Sequence, residues 1–180
     1  MFTCLEEQAR PGVVLIDARS GLHDLAATAV TLLGAQVLVF AIDSPATWRA
    51  YRFLFEHWVR HGMAKRVRNR LTTVAAMVPE RDPDRYIYIG AFRVAAWDVY
   101  RDTLYDEVPA ADEESVPPDP FPFDLADEEV PHAPWPVIWN RGLADGKPVC
   151  EVADDVAAAA YRSFLKRFDP FYNRLRGVER

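Results

Sequence analysis

The stretch Val13-Val14-Leu15-Ile16-Asp17-Ala18-Arg19-Ser20-Gly21 decides how the rest of the chain is read. Four apolar residues, several of them β-branched, run into an aspartate, and a glycine follows four positions later. A short, wholly apolar run of this kind predicts a buried parallel strand. An aspartate at the carboxyl end of such a strand stands where open α/β sheets place their ligands. Gly21 permits the positive φ that a tight turn after the strand would need.

Working outward, Pro11-Gly12 predicts a turn before this strand, and residues 22–33 (LHDLAATAVTLL) predict a helix. In that helix Leu22, Leu25, Ala26, Ala29, Leu32 and Leu33 share one face. Gly34 is placed to stop it. Residues 36–42 (QVLVFAI) predict a second buried strand, which also ends in an aspartate, Asp43. Ser44 and Pro45 then give the N-cap and first position of another helix. That helix carries Trp48, Tyr51, Phe55, Trp58 and Val59 on a stripe, and Gly62 would kink or divide it. Leu71–Val78 predicts a third strand, closed by Pro79, and residues 86–106 predict an amphipathic helix with Phe92, Ala96, Val99 and Leu104 facing inward. Strand and helix in alternation predict an α/β fold on a parallel sheet.

Residues 107–136 differ in character. They hold eight of the fourteen prolines, and no Lys or Arg occurs between Arg101 and Arg141. This acidic, proline-rich stretch reads as a long loop or insertion held by the apolar anchors Phe121, Phe123, Leu125, Trp135 and Val137. Residues 136–139 predict a short edge strand, 140–149 a turn-rich connection, and 154–168 a final helix with Ala157, Ala160, Tyr161, Phe164 and Leu165 inward.

The 180 residues suit a single α/β domain. The net charge of −6 argues against non-specific nucleic-acid binding, which draws on a basic excess. Cys4 and Cys150 lie far apart without metal-ligand spacing, as in a reducing compartment. The first residues carry no secretory pattern and no apolar run reaches the length of a membrane span, so the expectation is a cytoplasmic protein.

The run VLIDARSGLHD (14–24), a helix, and then QVLVFAIDS (36–44) resemble the MinD/ParA-type, deviant Walker P-loop ATPases. The likeness is to the branch whose Walker B segment reads V-L-I-D-S-R-T-G. Asp17, Arg19 and Gly21 match that segment, while Ala18 and Ser20 depart from its Ser and Thr. FPFDLADEEVPHAPWPVIWNRGL (121–143) and GKPVCEVADDVAAAAYRSFLKRF (146–168) are similar to later parts of such chains. The resemblance implies part of a doubly wound parallel sheet of P-loop NTPase type. It implies ATP and Mg²⁺ as cofactors, with Asp17 as the catalytic, metal-side carboxylate holding Mg²⁺ through water and Arg19, Ser20 and Gly21 on the γ-phosphate side.

The family's K-G-G-V-G-[KR] phosphate loop would precede Asp17, and these 180 residues contain no such loop. The expectation is therefore the C-terminal portion of a split or truncated ATPase, or a degenerate relative, hydrolysing ATP weakly or not at all by itself. Its partner would be a second copy in a homodimer or a separate chain carrying the Walker A half. The alternative, from another class, is a non-catalytic interaction module that uses an exposed sheet edge and the aromatic helix.

Asp43 reads equally as a second polar group at the strand tips, nucleotide-binding in role, or as a charge that suits the dipole of the following helix. His57 and His61 sit at i, i+4 with no third ligand in the sequence nearby, so they read as a surface or interface pair rather than a zinc site. His132 reads as a loop residue. The basic run from Arg60 through Lys65, Arg66, Arg68 and Arg70 reads as a solvated helix end that pairs with the acidic stretch 106–129.

Overall fold

The computed structural model describes residues 11–18, 30–107, 120–144, 151–175 and 177. Its centre is a three-stranded parallel sheet in the order β1 (Val37–Ala41), β2 (Leu71–Val78), β3 (Trp135–Ile138). Val37 pairs with Leu71 and Ala41 with Ala75 along the first ladder, and Val74 pairs with Trp135 along the second. The flanking helices are α1 (Pro45–Arg60), the short α2 (Ala64–Val67), α3 (Asp84–Arg101), the short α4 (Arg141–Ala144) and α5 (Asp154–Leu175). The chain is thus an α/β protein with a small parallel sheet covered by helices.

Side chains of a strand alternate between faces, and here the alternation sorts the helices. Val39 and Ala41 face α1 and α3, where Phe55, Trp58, Phe92, Val99 and Tyr100 form the core. Phe40, Val74 and Trp135 form a row on the other face. Phe164 of α5 meets both Phe40 and Trp135, and Phe171 meets Trp135 edge-on at 5.6 Å. A polar pair is buried in the core as well: Thr73 Oγ1 and the Tyr100 hydroxyl lie 2.9 Å apart.

Local chemistry sets the element ends. The Ser44 side chain accepts from the Thr47 amide and Pro45 opens α1, as its sequence predicts. Gly62, at φ +67°, ends that helix. α3 runs Asp84–Arg101, earlier at both ends than predicted, because the Leu104 and Tyr105 amides fold back onto Tyr100 O. Leu104 is buried in that turn rather than in the helix. β3 begins one residue before its predicted start, and α5 continues past residue 168 through Pro170, where Phe168, Phe171 and Tyr172 stack in sequence.

The predicted first strand is the main correction. Residues 13–18 belong to no strand, and Leu15 is 81% exposed. An apolar segment holds strand form only when ladder partners take up its amides and carbonyls, and none of the three strands pairs with it. Val59, Leu165, Leu32 and Leu33, expected inward, are also exposed, and Leu32 and Leu33 lie in the turn after the helical residues Val30 and Thr31. Val30 and Thr31 are helical and Gly34 has φ +65°, while residues 22–29 lie outside the described residues.

The acidic stretch is tied down where it is described. Arg68 grips Asp106 with both guanidinium nitrogens, at 2.8 and 2.9 Å, and Phe121 N–H donates to the same carboxylate. Trp97 Nε1 donates to Phe123 O, and Tyr105 takes Phe121 and Phe123 against its ring. Of the basic run, Arg68 makes the predicted pairing with residues 106–129, and it does so from a buried position rather than a solvated one.

Candidate functional site

In parallel sheets the ligand crevice lies beyond the carboxyl ends of the strands, so the site is sought where β1 and β2 end. β1 leads through Ile42 to Asp43 and into the N-terminus of α1. Asp43 Oδ1 accepts from Trp48 Nε1 at 2.8 Å, one turn into that helix. The Asp43 amide donates to the Tyr88 hydroxyl at 2.8 Å, and that hydroxyl donates onward to Ala76 O at 2.8 Å. Burial pushes the Tyr88 phenol up from its ordinary value, which keeps it a protonated donor.

The Ala76 carbonyl is available because β2 bulges there. Between the pairs Ala75–Pro136 and Val78–Ile138, β2 spends one residue more than β3, and Met77 within this bulge has φ +59°. A bulky residue in the left-handed region is uncommon and marks a backbone held by its surroundings. Tyr88 is the clamp that joins the tips of β1 and β2. Tyr88→Phe is expected to cost about 1–2 kcal/mol, since it leaves the Asp43 N–H and Ala76 C=O without their shared partner. Urea denaturation of the two proteins measures this, and equal midpoints would show that water replaces the hydroxyl freely.

Asp43 stands at both places that its two readings name, the tip of β1 and the start of α1, and its carboxylate accepts from the Trp48 indole. Asp17 is exposed and makes no hydrogen bond or ion pair among the described residues. Arg19, Ser20 and Gly21, along with Cys4 and Cys150, lie outside the described residues. His57 and His61 stack with ring centroids 4.3 Å apart, and no group of three His, Cys, Asp or Glu among the described residues is placed to hold a metal. His132 is a loop residue, as its sequence context predicts, and the structure adds its burial. It is fully buried, with Nδ1 2.7 Å from the Tyr105 hydroxyl and Nε2 facing Leu125 O.

The Ser44 hydroxyl is engaged with Thr47, the Asp43 carboxylate with Trp48, and the Tyr88 phenol with two backbone groups. Nothing in the sequence singles out Tyr88, because a tyrosine on a helix carries no motif. Only the bulge opposite makes it a clamp. The chain matches no protein-family model, no curated protein and no solved structure. No helix among the described residues is long and apolar enough to cross a membrane.

Proposed function

We propose that the chain is a MinD/ParA-like, ATPase-derived domain of P-loop NTPase type that works by binding a partner and does not hydrolyse ATP efficiently by itself. The observation that carries this reading is the position of β1 at the edge of the sheet among the described residues. Its sequence, VLVFA, is wholly apolar, and an edge strand with unpaired backbone groups is a ready template for a further strand. The Thr73 amide bonds Pro131 O on the β3 side, so odd residues of β1 point to β2 and Leu38 and Phe40 point outward. Tyr51 donates to Phe40 O and covers part of that edge. The other edge is different. Trp139 N–H bonds Val78 O, which by alternation turns Pro136 outward, and an outward proline blocks strand addition. One edge is guarded and the other carries no proline or charge, so a further strand adds at β1, from a second copy or from a chain bearing the phosphate-loop half.

On this reading Mg²⁺ and ATP would engage Asp17, with Arg19, Ser20 and Gly21 beside it, only once phosphate-loop donors are supplied. The second reading, an interaction module with no nucleotide role, is favoured by Asp43 being spent on Trp48. Calorimetric titration with ATP, with and without Mg²⁺, separates them when run alongside light scattering. Saturable Mg²⁺-dependent heat that Asp17→Ala abolishes supports the ATPase descent. No heat, with association that grows with protein concentration, supports the interaction module. A folded monomer that binds no nucleotide overturns both.

A further inference from the structure

A cleft of about 430 Å³ opens between α3, the β3 edge and α5, at the opposite edge of the sheet from β1. Arg93, Lys166 and Arg167 line it with the Ser163 hydroxyl, and Ile89, Pro134 and Pro136 give it an apolar wall. This is a local concentration of positive charge in a chain whose net charge is −6.

Two of the three cations are held by one carboxylate. Glu128 Oε1 lies 2.9 Å from Arg93 Nη2, and Glu128 Oε2 lies 3.0 Å from Arg167 Nη2. Arg93 also donates to the Ala126 and Asp127 carbonyls, and Arg167 to Glu128 O, which fixes both guanidinium groups at the cleft. Arg93 is only 20% exposed, so its orientation is set by packing. Lys166 has no hydrogen bond or ion pair among the described residues. Three cations against one carboxylate leave an excess of two positive charges beside an apolar wall. The Glu128 side chain is itself 61% exposed, so water screens its ion pairs and it sits as a replaceable anion.

We propose that this cleft binds a phosphate monoester with an apolar body. The phosphoryl dianion would sit on Lys166, Arg167 and Ser163, and the body would lie against Ile89, Pro134 and Pro136. A dianion matches the charge excess, and guanidinium forks with an ammonium suit three phosphoryl oxygens. Glu128 competes for the same arginines and sets the affinity.

The test is calorimetric titration of the full chain with phenyl phosphate, with inorganic phosphate and benzoate as comparators and a short DNA duplex as a polyanion control. Phenyl phosphate is expected to bind saturably and better than either comparator. Lys166→Gln is expected to weaken it about tenfold, and Glu128→Gln to strengthen it by a similar factor. Lys166 is exposed and makes no ion pair among the described residues, so thermal melts of Lys166→Gln are expected to match wild type, while Glu128→Gln is expected to melt slightly lower through the loss of its two arginine pairs; an unchanged near-ultraviolet circular dichroism spectrum reports folding in both. Four results each overturn the proposal: no saturable binding by wild type and Glu128→Gln, affinity unchanged in Lys166→Gln, equal affinity for inorganic phosphate or benzoate, or binding of the duplex alone.

Discussion

Replacing Asp106 by alanine is expected to destabilise the fold by about 3 kcal/mol, the largest single effect outside the apolar core. Arg68 leads to this expectation. Its side chain is 8% exposed, it donates to both Asp106 oxygens and to Leu104 O, and its guanidinium lies 4.6 Å from the Phe121 ring centroid. Without the carboxylate a buried charge loses its counter-ion, and Phe121 loses the acceptor for its amide. Asp106 is itself partly exposed, so water softens the loss and the low end of the range for broken buried pairs applies. The Arg68 hydrogen bond holds the Asp106 carboxyl below its usual range. The double variant Arg68→Met/Asp106→Leu removes both charges and is expected to recover most of the loss. Urea unfolding of the three proteins measures the effect. A double variant as unstable as Asp106→Ala would show that packing, not the stranded charge, sets the cost.

The second large effect is on pH dependence, and it belongs to His132. Burial pushes its pKa down, while the backbone contact at Leu125 O pulls the other way. In the neutral tautomer that fits both contacts, Nε2–H faces Leu125 O and Nδ1 accepts from the Tyr105 hydroxyl. Tyr105 is also pushed up by burial, so it stays a donor throughout. The sign follows from linkage. Above the unfolded value of about 6.5 both states are neutral and the full stability is present. As pH falls below that value the unfolded chain takes up a proton that the buried imidazole resists, and stability falls until the lowered folded pKa is reached. Asp106 and Glu128, whose carboxyls are both held low by arginine hydrogen bonds, contribute their own acid losses further down, from the ordinary carboxylate range to their lowered folded values. Unfolding free energy measured through the histidine window is expected to decline in wild type and to flatten in His132→Gln. Tyr105→Phe is expected to cost about 1–3 kcal/mol at neutral pH, because Nδ1 then lacks its donor. An unaltered slope in His132→Gln would move the titration to another group.

The two largest effects share a location. Arg68, Asp106, Phe121, Tyr105 and His132 join the end of the basic run to the acidic, proline-rich stretch. Composition alone marks that stretch as an excursion, yet its described residues are anchored in the core. Its polar groups are satisfied, since no buried side-chain nitrogen or oxygen among the described residues lacks a partner.

Sequence alone determined the elements whose signals are local. An apolar run between turn residues fixed β1 and β2, Ser44-Pro45 fixed the start of α1, and the spacing of Phe92, Ala96 and Val99 fixed the buried face of α3. Each of these depends on backbone and side-chain preferences within a few residues. What depended on distant partners was decided by the tertiary structure. Residues 13–16 have the composition of a buried strand but no ladder neighbour in the sheet, so Val14, Leu15 and Ile16 stay exposed. The Tyr88 hydroxyl that takes the Asp43 amide comes from a helix far along the chain, and no local signal announces it. His132 and the Arg93–Glu128–Arg167 bridge take their character from neighbours brought in from other parts of the chain. Strand form, burial and charge pairing are properties of contacts, and no single segment carries both sides of a contact.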